Sequence, residues 1–388
     1  MNIDFTHNAR PTIGVEMELH LVDAVTGELA SASTDILAEM GAAHPGGEHP
    51  KAKHELFQST VEIITGVCEN PTEAGDDLRA TMAELRSCAE RRGLTLVSAG
   101  THPFALAGDQ VVSPQQRYRD LIDDLQWPAR RLLICGMHVH VGAPDGARAI
   151  RIMEELMRHH PVLLALSSSS PYFEGEDTGM ASSRTKIFEG LPTAGLPPPL
   201  ASWTDFEAFM STLIEAGCIT SIREVWWDIR PHPDFGTVEF RMCDAVPTVS
   251  ETVALAALAQ TLVEWTKRRI DDRSLPPPPN DWTVRENRWL AARYGIDAEL
   301  IVEHPGTGRP ERRPVRELLI ELLDDLRPVA EDLGNLGHLA DLAALTQVGT
   351  GAQRQRRVVE AGGTLVDVVH HLAAELANDT ITGAPASR

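Results

Sequence analysis

The chain has 388 residues, 43% of them hydrophobic, and its 35 basic against 56 acidic side chains give a formal charge of −21. That apolar content supports a large core and excludes a disordered chain, while an acidic balance without any basic block sets nucleic acid aside as a partner, because a phosphate backbone would be repelled at long range. No run of about 18 apolar residues occurs, and the start, MNIDFTHNARPTIG, lacks a charged stretch followed by an apolar one; the expectation is a soluble, unexported protein with no membrane partner.

Thr12 to Val22 reads as the first strand. Val15, Met17, Leu19 and Leu21 alternate with Glu16, Glu18 and His20, so an apolar stripe and a carboxylate row fall on opposite faces. A hairpin turn over Asp23–Gly27 and a loop rich in Gly, Pro and His over 41–50 follow. Glu55 precedes a strand over 56–67 that carries Glu62. Pro71 to Arg92 is a helix that Thr72 can cap, and Leu94 to Ala99 is the next strand. Ser113-Pro114 opens an amphipathic helix to about Trp127. In CGMHVHVGAPD, His138 and His140 share one strand face and Met137, Val139 and Val141 the other; Asp145 then caps a long helix over 146–166.

Residues 167–200 lack periodicity and are rich in Gly, Pro and Ser; with Arg184, Lys186 and Phe188 among them they read as a functional lid. A helix over 203–217 precedes strands over 223–231 and 236–243, which set Asp228 with Arg230, and Glu239 with Arg241, at a spacing of two. Trp226, Trp227 and Cys243 read as packing residues. Ser250 caps a helix through Arg269, Pro276–Pro279 is a stiff spacer, and the remainder is helical to about Ala377. The sum is an α+β fold, an antiparallel sheet with helices on its apolar face: one domain over 1–377, strand-rich over 10–245 and helical over 250–377, with a disordered tail over 378–388.

An alternating strand with charges outward is ordinarily the solvated side of a half-buried sheet. These stretches, however, carry imidazoles such as His138 and His140, repeated Glu and Arg, and no Lys. Crowded carboxylates repel one another unless something positive sits among them, and divalent cations would serve. Carboxylate oxygens suit Mg²⁺ or Mn²⁺. A zinc hydrolase ranks lower, with no HExxH and no cysteine or histidine at zinc spacing. Neither GxxxxGK[ST] nor GxGxxG occurs, so a bound nucleotide would be held by metals and by arginines such as Arg230 and Arg241. Five cysteines without a CxxC fit a reducing cytoplasm.

Five motifs, GVEMELHLVD, GMHVHVG, SSRTKIFEGLPTAGLPP, WWDIRPHPDFGTVEFRMCD and ENRWLAARYG, lie in that order over about residues 12–360. Together they resemble the ATP-dependent carboxylate–amine ligases of the glutamate–cysteine ligase type 2 family. The resemblance implies a glutamine-synthetase-like catalytic core with a curved antiparallel sheet, ATP as co-substrate and Mg²⁺ or Mn²⁺ as cofactor. It also implies amide formation through an acyl phosphate, with weak glutamate–cysteine ligase activity and small-molecule acids and amines as partners.

Carried over by motif, Glu16, Glu18, Glu55, Glu62, His138 and Glu239 look like metal ligands, and Arg241, Glu239 and Arg184 like catalytic groups. Arg230, Lys186 and His140 look like substrate or phosphate contacts, and Asn287 and Arg288 receive no definite role. Met17 stands where relatives often carry an acid, but by alternation it faces the packed side. Two other readings are a non-catalytic ATP-binding regulatory protein of the same fold and a metal-dependent hydrolase. Leu- and Ala-rich C-terminal helices offer a surface for a homodimer.

Overall fold

The computed structural model describes residues 2–304 and 306–379. In chain order its elements are β1 (Ile13–Asp23), α1 (Ser33–Gly41), β2 (Ala52–His54), β3 (Thr60–Ile64), α2 (Pro71–Glu90), β4 (Leu94–Val97), α3 (Gln116–Leu125), α4 (Trp127–Arg130), β5 (Met137–Gly142), α5 (Gly146–Leu156) and α6 (His160–Ser167). Then come β6 (Tyr172–Phe173), β7 (Glu176–Asp177), α7 (Ser183–Phe188), α8 (Trp203–Glu215), β8 (Ile229–His232), β9 (Thr237–Phe240), α9 (Val249–Asp271) and α10 (Asp281–Tyr294). The hairpin β10 (Glu299–Glu303) and β11 (Pro310–Pro314) leads into α11 (Val315–Leu333), α12 (Leu336–Val348), α13 (Gly351–Glu360) and α14 (Leu365–Asn378).

One seven-stranded sheet runs β2-β3-β1-β5-β9-β8, with β4 paired to the far end of β1. Every pairing in it is antiparallel. The alternation foreseen in β1 sorts its side chains: Val15, Met17, Leu19 and Leu21 are buried on the face where α2, α5 and α9 pack. Each such aliphatic side chain removed from water contributes about 1.5–3 kcal/mol, so this face fixes the register of the opposite one. The result is the expected α+β arrangement, an antiparallel sheet with helices on its apolar face.

Several boundaries differ from expectation, each for a local reason. The helix expected over 146–166 is two helices, because Pro161 cannot continue a helix and instead sits in the first turn of α6. Helix α2 is capped by Asn70, whose side chain accepts from the Glu73 N–H, and α9 by Thr248, which accepts from the Glu251 N–H, in place of Thr72 and Ser250. The segment after β11 is helical, but β10 and β11 interrupt the stretch expected to be helical throughout. The expected lid contains β6, β7 and α7, and Ser167 to Ser170 and Ser182 to Thr185 are buried. Of the expected tail, Asn378 ends α14 and Asp379 accepts from Arg79 and from the Ser250 N–H; residues 380–388 lie outside the described residues. Among the described residues no helix is long and apolar enough to cross a membrane.

Candidate active site

Strand pairing lines the polar side chains up in one row across the sheet. Glu62 of β3 stands opposite Glu18, Glu16 opposite His138, and His140 opposite Glu239, which in turn faces Arg230 of β8. Period-two spacing puts each pair on one face, and the antiparallel register joins the pairs.

At the β1–β5 seam Glu16 takes hydrogen bonds from both imidazoles, from His138 Nδ1 at 2.7 Å and from His140 Nε2 at 3.3 Å. Burial alone would raise Glu16, yet these bonds hold its carboxyl well below the usual range, so it is an ionised acceptor. His138 then donates from Nδ1, and its Nε2 lies 4.0 Å from Glu18 Oε1. Glu18 is steadied from the other side by the Gly136 N–H.

Glu55 comes from the loop ahead of β3 rather than from the strand, and its backbone turn brings its carboxylate back to the Leu56 N–H at 3.2 Å. Burial and the neighbouring charge of Glu18 push Glu55 up to about 8. Burial and the charges of Glu16, Glu55 and Glu18 push Glu62 well above the ordinary carboxylate range. Two overlapping triads result, Glu16/Glu62/His138 and Glu18/Glu55/Glu62, each with ligand atoms within 4.8 Å of one another. Buried carboxylates that repel one another, with an imidazole oriented by a carboxylate, fit hard divalent cations.

The other half of the row is held by ion pairs. Glu239 is 1% exposed; Arg230 grips it through Nε at 2.7 Å and Nη2 at 3.3 Å, and Arg241 Nη1 binds the same carboxylate. Burial would raise Glu239, but the two guanidiniums hold it well below the usual range. Arg230 also donates Nη1 to the carbonyls of Ile222 and Val225, so its donors go mainly to the protein and it acts on Glu239 more than on a ligand. His140 is fixed by Thr237 Oγ1 at 3.0 Å; burial lowers it, but Glu239 and Glu16 carry it above the ordinary imidazole value.

Arg184, at the start of α7, is 3% exposed and lies against the entry of β5, its Nη atoms donating to the Arg241 and Met242 carbonyls at 3.3–3.4 Å. A Cβ on Gly136 would come 2.2 Å from Arg184 Nη2, so only glycine admits the guanidinium there. Arg184 Nε and Arg241 Nε are both buried without a partner among the described residues. Lys186, by contrast, pairs with Glu189 and lies 5.3 Å from the Trp289 ring, and neither of these partners belongs to the carboxylate row.

Three residues with no role assigned from the sequence hold the site in place. Asp244 is wholly buried and accepts from the Ser169 N–H at 2.9 Å, Ser170 Oγ at 2.7 Å and Ser182 Oγ at 2.8 Å, pinning the segment that carries Arg184. Asp228 holds His160 Nε2 at 2.9 Å and Arg288 Nε at 2.6 Å, and Arg288 reaches on to Glu189 at 3.2 Å. Asn287 exchanges two bonds with the Ile301 backbone and fixes the β10–β11 hairpin. Asp244 sits in the motif VEFRMCD itself, but its role rests on serines more than 60 residues earlier, which spacing does not reveal. Trp227 packs on Phe206 and Phe209 and Cys243 is buried, as their apolar surroundings imply.

Glutamate-cysteine ligase family 2 (GCS2) matches this chain over residues 12–371. A protein of Thermobifida fusca named "Putative glutamate--cysteine ligase 2" is 47% identical over 386 residues, covering 100% of this chain and 95% of that protein. "Putative glutamate--cysteine ligase 2-1" of Frankia casuarinae is 49% identical over 377 residues, 97% of this chain and 98% of its own. Among solved structures, the glutamate–cysteine ligase of Francisella tularensis, in complex with AMP, superposes with a TM-score of 0.68 at 12% identity, over 96% of this chain and 90% of that one. A bifunctional glutathione synthetase from Pasteurella multocida gives 0.64 at 14% identity, over 94% of this chain and 52% of that one. Fold and relatives define a glutamate–cysteine ligase-like carboxylate–amine ligase, an enzyme that forms carbon–nitrogen bonds. The chain belongs to glutamate–cysteine ligase family 2.

Proposed function

We propose that this protein is an ATP-dependent ligase that activates the γ-carboxylate of glutamate, or of a similar acid, as an acyl phosphate and transfers it to an amine, using cysteine only weakly. The observation that carries this reading is the pair of overlapping carboxylate–imidazole triads beside two buried guanidiniums, each with an unpartnered Nε. Glu16, Glu18, Glu55, Glu62 and His138 would hold Mg²⁺ or Mn²⁺, with Glu239 next to them. Such ions, when bound, neutralise and orient the phosphates of a nucleotide.

The chain's own groups then have distinct tasks. Arg241, steadied by Glu239, meets the phosphoryl group as its charge spreads, and preorganised donors of this kind are usually the largest contribution to such a reaction. Arg184 holds the acid's carboxylate against β5, and Arg230 keeps Glu239 from turning away. His140, tied to Thr237, borders the phosphate side of the row. A carboxylate oxygen attacks the terminal phosphorus and ADP leaves. The amine nitrogen next attacks the acyl carbon, the carbon–oxygen bond to phosphate breaks, and the departing phosphate or water takes the proton.

On this reading the partners are small-molecule acids and amines and the setting is the cytoplasm. Exposed Ile320 of α11 and Leu336 of α12 support a homodimer through the C-terminal helices. Phosphate release from ATP, measured over a panel of acids and amines with Mg²⁺ present, tests the reading. Release that depends on both an acid and an amine is the expected result, and no release with any pair from folded, metal-loaded protein overturns it.

A further inference from the structure

A second cavity, of about 330 Å³, lies beside α7 and has no part in the reading above. Its walls include Trp127, Phe173, Met180 and Ile187, and Arg131 and Lys186 also line it. Two links tie it to the carboxylate row. Ser183 lines it, and the next residue is Arg184, which packs on Gly136, whose N–H donates to Glu18. Phe173 also belongs to the apolar cluster containing Leu56, the neighbour of Glu55.

We infer that this cavity receives the side chain of the amine co-substrate, and that the preferred amine carries an aromatic or branched apolar group. The inference rests on the ligase reading and adds the substrate class. Volume and chemistry both favour it. The cavity is at the small end of ligand pockets, which run from about 300 to 1,000 Å³ and are mostly apolar with a few polar groups at the edge. A cysteine side chain, one methylene and a sulfur, would leave most of it unfilled. Arg131 lies 5.3 Å from the Trp127 ring and 5.2 Å from the Phe173 ring, so its flat cation is held between two aromatic walls. Its hydrogen bond among the described residues goes to Glu174 at 2.7 Å, and its other donors can meet an acid group on the amine. With the side chain in the cavity, the amine nitrogen projects past Ser183 toward Arg184. There the carbon–nitrogen bond forms as the carbon–oxygen bond to phosphate breaks.

The test uses hydroxylamine, which captures an acyl phosphate as a hydroxamate without needing the cavity, alongside cysteine, phenylalanine, leucine and aromatic amines. The expected result is hydroxamate formation together with a kcat/KM for the bulky amines at least tenfold above that for cysteine, the scale of discrimination that an apolar pocket gives. Ile187→Trp, which fills the cavity, should lower kcat/KM for the bulky amines tenfold or more and leave the hydroxamate rate within about twofold. Trp127→Ala, at an exposed position, should raise KM for them and leave kcat nearly unchanged. Hydroxamate formation with cysteine used as well as or better than the bulky amines overturns the inference and leaves the ligase reading intact, as does equal loss of both activities in both variants. Absence of hydroxamate from folded, metal-loaded protein overturns the ligase reading and this inference with it.

Discussion

Arg230 and Glu239 stand opposite each other in register across β8 and β9, and the guanidinium grips the carboxylate through Nε at 2.7 Å with both side chains buried. A planar, bidentate grip of this kind cannot be reproduced by an ammonium group. Arg230→Lys should therefore destabilise the fold by about 3–5 kcal/mol, the cost of breaking a buried pair, as read by urea denaturation. Glu239→Gln should retain the fold and lower turnover roughly a hundredfold or more, because Arg241 loses the charge that aims it. Turnover of the Gln variant near that of the parent would remove Glu239 from the mechanism.

Glu62 belongs to both triads and is crowded by three other carboxylates. Like charges at such range cost stability until a cation joins them. We expect Glu62→Gln to melt at a higher temperature than the parent in EDTA and to lose most of the stabilisation that MgCl₂ gives the parent, with turnover down about a hundredfold. Paired thermal melts with and without Mg²⁺ check this. An unchanged Mg²⁺ response in the variant would dissociate Glu62 from metal binding.

Gly136 offers a test of Arg184 without altering any charge. The added methyl of Gly136→Ala would stand 2.2 Å from Arg184 Nη2, so the guanidinium must move off β5. The expectation is a kcat/KM lower by tenfold or more, with a far-ultraviolet spectrum like the parent's. Full activity would show that Arg184 need not lie against that strand.

His102 is buried, its Nε2–H donating to the Gly27 carbonyl at 2.9 Å and its Nδ1 accepting from the Ala105 N–H at 3.0 Å. Both ring nitrogens are satisfied only in the neutral form, and burial brings the imidazole down to about 4. The folded value lies below the unfolded one of about 6.5, so the unfolded chain takes up the proton first. The stabilisation is complete above about pH 6.5 and lost as pH falls from there toward 4, amounting to about 3 kcal/mol over that window. His102→Asn should flatten the corresponding part of the pH–stability curve measured by denaturant titration. A curve of unchanged shape would mean that His102 does not set the acid limb.

Much of the site was legible because it obeys one rule. Period-two alternation by itself isolates Glu16, Glu18, His138, His140, Glu239 and Arg241 on a single face. It fails for Glu55, which reaches the same cluster from a loop, where no period exists to read. Nor does it find Asp244, held by Ser169 and Ser182, and although it pairs Asp228 with Arg230 it does not reveal that Asp228 meets His160 and Arg288, because all these partners are distant in sequence and arrive only through tertiary packing. The break between α5 and α6 was signalled by Pro161, and the β10–β11 hairpin by the short β-branched run in ELIVE; helical surroundings masked both. The second cavity has no sequence signature, since its walls come from α4, β6, α7 and the turns between them.

The clamp from Asp228 to Arg288 has a consequence for biosynthesis. Every carboxylate of the row has been synthesised once β9 is made, yet the guanidinium that neutralises buried Asp228 comes 60 residues later. Until α10 emerges, Asp228 has only His160 for company, and the floor beneath α7 lacks its tie to Glu189. A nascent or truncated chain ending before residue 288 would therefore hold every acid of the row on an unlocked scaffold. Such a chain would be a ready target for proteolysis, and the finished enzyme cannot be trimmed to its strand-rich part.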